Sequence, residues 1–270
     1  MVIAIIAILA ALLLPALSSA KRRAKLAQCQ NNFHQVSVAC YIYANDYNDY
    51  FPICTVGTAN NGTFNHLADA HYTYYIYSGA ANTAVQQGIQ GGFDCLGRLY
   101  ETHGMANGMA LYCPAYPNAS ILNPAQYSTP SFMSTDNGFN GAAGPSVRGS
   151  MLYNPHVFDP TNTEPNNGGL VRLFQKTGSI VPAKVFGTDY LDAPTNDAHG
   201  YSAPVATFGP NYYAHYPAQG FDVLFTDGSV QFVQSVQAFN YIAQGLLVTA
   251  ETTASAEDYA QVYYWLENGD

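Results

Sequence analysis

Residues 2–14, VIAIIAILAALLL, are apolar without interruption, and Pro15, Ala16 and Leu17 extend the run to sixteen residues before Ser18. From Leu26 the spacing changes: Leu26, Cys29, Phe33, Val36, Cys40, Tyr43 and Tyr47 follow steps of 3, 4, 3, 4, 3 and 4. That rhythm draws one stripe along a helix of 3.6 residues per turn. Neither proline nor glycine interrupts residues 16–51, and the first breaker is Pro52. One helix is therefore expected to run to about residue 46, apolar all round in its first half and amphipathic in its second. Pro15 removes a backbone hydrogen bond and crowds the carbonyl four residues back, so a kink is expected there.

The apolar run falls a little short of the ~20 residues that span a bilayer. It can be read as a signal peptide, as a buried core helix, or as a membrane helix whose beginning is missing. A signal peptide carries its positive charge in front, whereas here Lys21, Arg22, Arg23 and Lys25 follow the run. A core helix with no polar face at the very terminus fits poorly. Continuation in phase into an amphipathic stripe favours the membrane helix, embedded to about residue 17. The chain then divides into an N-terminal helix, residues 1–50, and a body, residues 51–270.

The body reads as α+β. Short apolar segments between Gly, Asn and Pro clusters make residues 51–150 strands and loops rather than helices. FDVLFTDGSVQFV, residues 221–233, reads as a hairpin, with Asp227-Gly228 as a two-residue type I′ turn. Pairing outward sets Phe225 opposite Val230 and Val223 opposite Phe232, with Phe221 on the same core face. Asp222, Thr226, Ser229 and Gln231 then form a wet face. Two helices close the chain, one over about 235–245 beginning at Ser235, the other over about 256–267 with Ser255 as N-cap. In the second, Tyr259, Val262, Tyr263 and Leu266 form the packing stripe. The predicted fold is a long N-terminal helix packed on an antiparallel-sheet domain with C-terminal helices.

Charge narrows the function. Residues 26–270 hold five basic and eighteen acidic residues, a formal −13, with no basic stripe. A body this acidic repels phosphate backbones, which excludes nucleic acid as a partner. The seven histidines are scattered, and no HExxH, GxSxG or P-loop motif occurs, so no enzyme is expected. Cys29, Cys40, Cys54, Cys95 and Cys113 show neither CxxC nor Cys/His zinc spacing. In an oxidising compartment Cys95 and Cys113 are the candidate disulfide; the alternative is that all five are buried thiols. Cys29 and Cys40 sit ~16 Å apart along one helix, too far to bond to each other.

The run VIAIIAILAALLLPAL, followed by KRRAKLAQCQNNFHQVSVACYIYANDYNDYFP, resembles the N-terminus of type IV pilin-like proteins. More narrowly it resembles the type II secretion pseudopilins of GspG-like type, which carry a prepilin-type cleavage/methylation segment. Pro15 matches the family's helix-interior proline. The "LG-LY … CP" stretch ending at Cys113-Pro114, the strand ending at Asp189 and the Asp227-Gly228 hairpin match later segments, with His215 as the candidate for a histidine upstream of the turn.

The resemblance implies a basic leader removed by a prepilin peptidase, a methylated new terminus, and a glutamate that guides docking of subunits. None of these residues is present, so the chain is read as truncated, and the peptidase is a partner only if a leader exists upstream. It further implies a single-pass bacterial inner-membrane protein with its body in the periplasm or at the cell surface. This outweighs the positive-inside reading of the basic cluster. Calcium at acidic loops occurs in the resembled group, which makes Asp222 and Asp227 the candidate metal ligands. Asp227 with His215 and Asp189 can be read as a catalytic or metal set or as plain turn chemistry, which is the commoner role of Asp-Gly. The expected function is a structural pseudopilin-like subunit touching membrane lipid and other pilin-like subunits through its helix. The alternative is a membrane-tethered surface module that binds glycan or protein without a filament.

Overall fold

The computed structural model describes residues 2–52, 75–77, 95–105, 108–115, 139–141, 144–153, 156–158, 171–173, 176–189, 215, 218–243 and 253–269. Helix α1, Val2–Asp46, is one 45-residue α-helix with Pro15 inside it, about 67 Å long at 1.5 Å per residue. Residues 2–18 are exposed along its whole circumference. Cys29, Phe33, Val36, Cys40 and Tyr43 are buried, Leu26 is half-buried, and the Tyr47 ring stacks on Tyr43 at 4.2 Å. Asn32, Ser37, Ala39 and Ala44 widen the stripe. The helix closes where Asn48 and Asp49 turn left-handed, φ 56° and 66°, residue types that tolerate that region. The Asp49 N–H returns to the Ala44 carbonyl at 2.8 Å, the 6→1 closure of a helix end.

The other elements are β1 (Tyr75–Tyr77), α2 (Gly97–Glu101), a 3₁₀ turn (Gly108–Leu111), β2 (Phe139–Gly141), β3 (Gly144–Arg148), β4 (Met151–Tyr153), β5 (His156–Phe158), β6 (Val171–Leu173), a 3₁₀ turn (Thr177–Ser179), β7 (Val185–Asp189), β8 (Gly220–Phe225), β9 (Val230–Gln234), α3 (Val236–Ala243) and α4 (Thr253–Asn268). The principal sheet is antiparallel, in the order β4-β7-β8-β9. This is the α+β layout anticipated from the sequence, with α2 lying in a stretch that reads as strands and loops.

Strand β8 is covered on both faces. Leu224 joins Phe33, Val36 and Tyr43 of α1 in the core, whereas Phe221, on the opposite face by strand alternation, meets Phe239 of α3 at 6.2 Å. On that second side Glu267 of α4 accepts the Val185 N–H at 2.9 Å and binds Lys184 Nζ at 2.7 Å.

Two-sided cover corrects the hairpin expected from sequence. The observed pairs are Asp222 with Phe232, Val223 with Gln231 and Leu224 with Val230, a register one residue off the expected one. Phe225 and Ser229 close a three-residue loop of Thr226, Asp227 and Gly228: the Phe225 N–H donates to the Ser229 carbonyl and the Gly228 N–H to the Phe225 carbonyl. Gly228 takes φ 82°. This is a type I turn with a G1 bulge rather than a type I′ turn. Asp222 and Thr226, placed on a wet face by sequence, are buried. Asp222 turns to the α1 side, where Gln30 reaches it.

The cysteine pairing also differs from the expected one. Cys29 of α1 is bonded to Cys113, with Cα atoms 5.0 Å apart, while Cys95 is in a disulfide that is not with Cys113. The buried stripe of α1 runs past the 3₁₀ turn at Gly108–Leu111, and Asn32 Nδ2 donates to the Tyr112 carbonyl at 2.8 Å beside the bridge. That long-range packing, invisible in spacing along the chain, brings Cys29 to Cys113. Cys40 stays a free, buried thiol.

At the C-terminus Ser235 caps α3, its Oγ accepting the Ala238 N–H at 3.0 Å. Helix α4 begins at Thr253, so Ser255 lies within the helix rather than at its cap. Tyr259, Val262, Tyr263 and Leu266 are buried.

Candidate functional site

Three polar side chains meet under α1. Asp189 ends β7, Asp222 lies within β8, and His215 precedes β8. Thr188 pairs with Val223 across β7 and β8, so one further step of the register sets Asp189 opposite Asp222. Like charges directly opposite in an antiparallel pair repel, and both carboxylates are buried. His215 Nε2 lies 3.2 Å from Asp189 Oδ2 and 3.0 Å from Asp222 Oδ2. The Asp222 backbone N–H donates to Asp189 Oδ2 at 2.7 Å. Asp189 Oδ1 and Asp222 Oδ1 accept no well-aligned hydrogen bond among the described residues.

Burial acts to lower the pKa of His215, but the charges and hydrogen bonds of Asp189 and Asp222 outweigh it and raise the pKa well above the usual imidazole range. Burial pushes the Asp222 carboxyl upward, opposed by its contacts with His215. The Phe232 ring stands edge-on to the imidazole at 5.5 Å. Cys113 Sγ, held in the disulfide with Cys29, lies 3.7 Å from Nε2.

Each of these three side chains is a candidate in the sequence, but the structure groups them differently: Asp189 and Asp222 with His215, without Asp227. Asp227 is apart from the cluster: it is exposed at the hairpin tip, and its Oδ1 accepts the Ser229 N–H at 2.9 Å. Hydrogen bonding from the Ser229 side chain, and then from its backbone N–H, holds the Asp227 carboxyl below the usual range, which is the turn chemistry of an Asp-Gly pair. The candidate ligand pair Asp222 and Asp227 is thus replaced by Asp222 and Asp189 with His215. The sequence signal for Asp222 as a buried group is that it is the one charged residue inside the otherwise apolar FDVLF.

A second feature is a groove of about 520 Å³ beside the hairpin tip, lined by His34, Val38, Tyr41, Ile42, Asp227 and Gly228 among others. Tyr41 Oη donates to the Thr226 carbonyl at 2.8 Å and pins the hairpin to the helix. Val38 and Ile42 are 60% and 48% exposed there. The third is the N-terminal half of α1, the one helix among the described residues long and apolar enough to cross a membrane.

The family model SBP_bac_10, described as a protein of unknown function (DUF1559), matches residues 18–175. It therefore covers the amphipathic half of α1 and ends before β7, β8 and the Asp–His–Asp cluster. Comparison with curated proteins and with solved structures gives no match.

Proposed function

The chain belongs to the DUF1559 family, one of pilin-like, prepilin-type bacterial proteins, and on that footing we propose that it is a non-enzymatic structural subunit of a pilus-like or pseudopilus filament. The observation that carries this reading is the division of α1. Its first half exposes Ile3, Ile6, Leu9, Leu12, Leu13 and Leu17, each more than half accessible. Its second half is built into the body's core and covalently tied to it by Cys29–Cys113. A helix that only anchored a domain would need no such fixture. One that transmits packing from subunit to subunit needs its upper half rigid against the body. The burden of apolar side chains in the lower half demands lipid or neighbouring copies of the same helix.

The finer assignment, to a type II secretion pseudopilin with a methylated terminus, rests on the resemblance of the N-terminal segment. A body outside the inner membrane is supported by the disulfides, which persist in oxidising compartments. A second reading is favoured by the groove beside Tyr41: a tethered module that holds a glycan or protein there, without filament assembly.

Oxidative cross-linking in membranes separates the two readings. With Leu9→Cys or Leu13→Cys, a filament subunit gives a ladder of cross-linked copies at native expression. A chain that remains monomeric under oxidation contradicts filament assembly and leaves the tethered module.

A further inference from the structure

Among the described residues, the cluster at Asp189, His215 and Asp222 holds more buried carboxylates than cationic partners. Among the described residues, the one cationic partner within ion-pair reach of either carboxylate is His215. With the imidazole protonated, two ionised carboxylates still leave one net negative charge in a site where all three side chains are at most 5% exposed. Uncompensated buried charge is costly, and the register aggravates it by facing the two aspartates across adjacent strands.

The donor geometry fits an ion. The three ligand atoms lie within 4.8 Å of one another, and the nitrogen is 3.0 and 3.2 Å from the two oxygens. Donors held ~2.0–2.1 Å from one ion stand roughly 2.8–3.4 Å apart at octahedral to tetrahedral angles. A second observation concerns the same two carboxylates. Asp189 Oδ1 is buried and accepts no hydrogen bond among the described residues, and the contacts of Asp222 with His215 and Gln30 are poorly aligned as hydrogen bonds.

We propose that Asp189, Asp222 and His215 form a buried structural site for one divalent transition-metal ion of the zinc or manganese class. Two carboxylates, a neutral imidazole and a doubly charged ion sum to zero, which a proton on the imidazole alone does not achieve. One imidazole with two carboxylates suits these ions. Calcium, which takes six to eight oxygen ligands, is poorly served by a set containing a ring nitrogen. The neighbouring sulfurs of Cys29 and Cys113 are in a disulfide, so they offer no thiolate and leave the three-residue set as the donors. Bound there, the ion ties the segment bearing His215 to β7 and β8 directly beneath α1, so its binding free energy adds to that of folding. The site lies beyond the residues matched by the family model and stands whether or not the chain assembles into filaments.

The test uses the full chain in detergent, stripped with chelator and titrated separately with Zn²⁺ and Mn²⁺ by calorimetry and thermal melting. One equivalent of ion should bind per chain, with Tm rising until that equivalent is reached. Asp222→Asn and Asp189→Asn relieve the facing charges without changing side-chain size, so both should fold. Each should bind at least about tenfold more weakly, as should His215→Gln. Co²⁺ provides a second readout that does not depend on stability. The wild type should give a visible absorption distinct from that of aqueous Co²⁺, and the variants should lose it. Absence of a stoichiometric ion, or equal binding by wild type and all three variants, overturns the proposal and leaves a triad bridged by protons alone.

Discussion

Cys29 on helix α1 is bonded to Cys113 in the body across a sequence separation of 84 residues. The bridge fixes the start of the buried stripe, where α1 leaves its exposed apolar half and enters the core. It also stands against His215, whose Nε2 lies 3.7 Å from Cys113 Sγ.

Removing the bridge in a Cys29→Ser, Cys113→Ser double variant should cost about 2–5 kcal/mol, given the length of the loop it closes. Denaturant titration of the full chain in detergent measures this. Reducing agent should destabilise the wild type and leave the double variant less affected. Equal stability of the two proteins would show that packing of the stripe alone fixes α1 to the body.

A smaller loss is expected at α3. Ser235 is fully buried, and its Oγ caps the Ala238 N–H at 3.0 Å. Ser235→Ala leaves that donor without its acceptor and should cost ~1 kcal/mol, read as a lower denaturation midpoint with an unchanged slope.

Pro15 tests the exposed apolar half of α1 alone. Helix α1 continues through it, and Ser18 Oγ donates to the Pro15 carbonyl at 2.8 Å. Pro15→Ala restores a backbone donor and removes the ring, worth about 3 kcal/mol in a helix interior. Helix content in detergent should rise, while the cooperative unfolding of the body should be unchanged. No rise would mean that the proline costs this helix nothing.

How much of this was legible in the sequence depended on the packing around each element. The stripe of Cys29, Phe33, Val36, Cys40 and Tyr43 could be read because one face of α1 meets the body and the other does not. The hairpin could be located from Asp227-Gly228 but not registered. Thr226 enters the turn, and because β8 is covered on both faces, alternation no longer separates core from solvent at Asp222. The Asp–His–Asp cluster required that register, since it is the β7–β8 pairing that faces Asp189 toward Asp222. The Cys29–Cys113 bridge required knowing where α1 lies on the body, which no local spacing reports.

The division of α1 into an outward half and a core half is the claim on which the functional account stands, and thermal melts of two shortened chains test it most directly. A chain beginning at Ser19 loses only exposed helix and keeps Cys29, Phe33, Val36, Cys40 and Tyr43 in the core. It should be soluble and unfold in one sharp transition. A chain beginning at Pro52 loses those five side chains and the Cys29–Cys113 bridge. Each large apolar group contributes ~1.5–3 kcal/mol, against a typical total stability of about 5–15 kcal/mol. The predicted result is an insoluble or molten product with no cooperative transition. If the chain from Pro52 instead melts as sharply and at the same temperature as the chain from Ser19, α1 is a tether and not part of the fold, and the pilin-like account is contradicted.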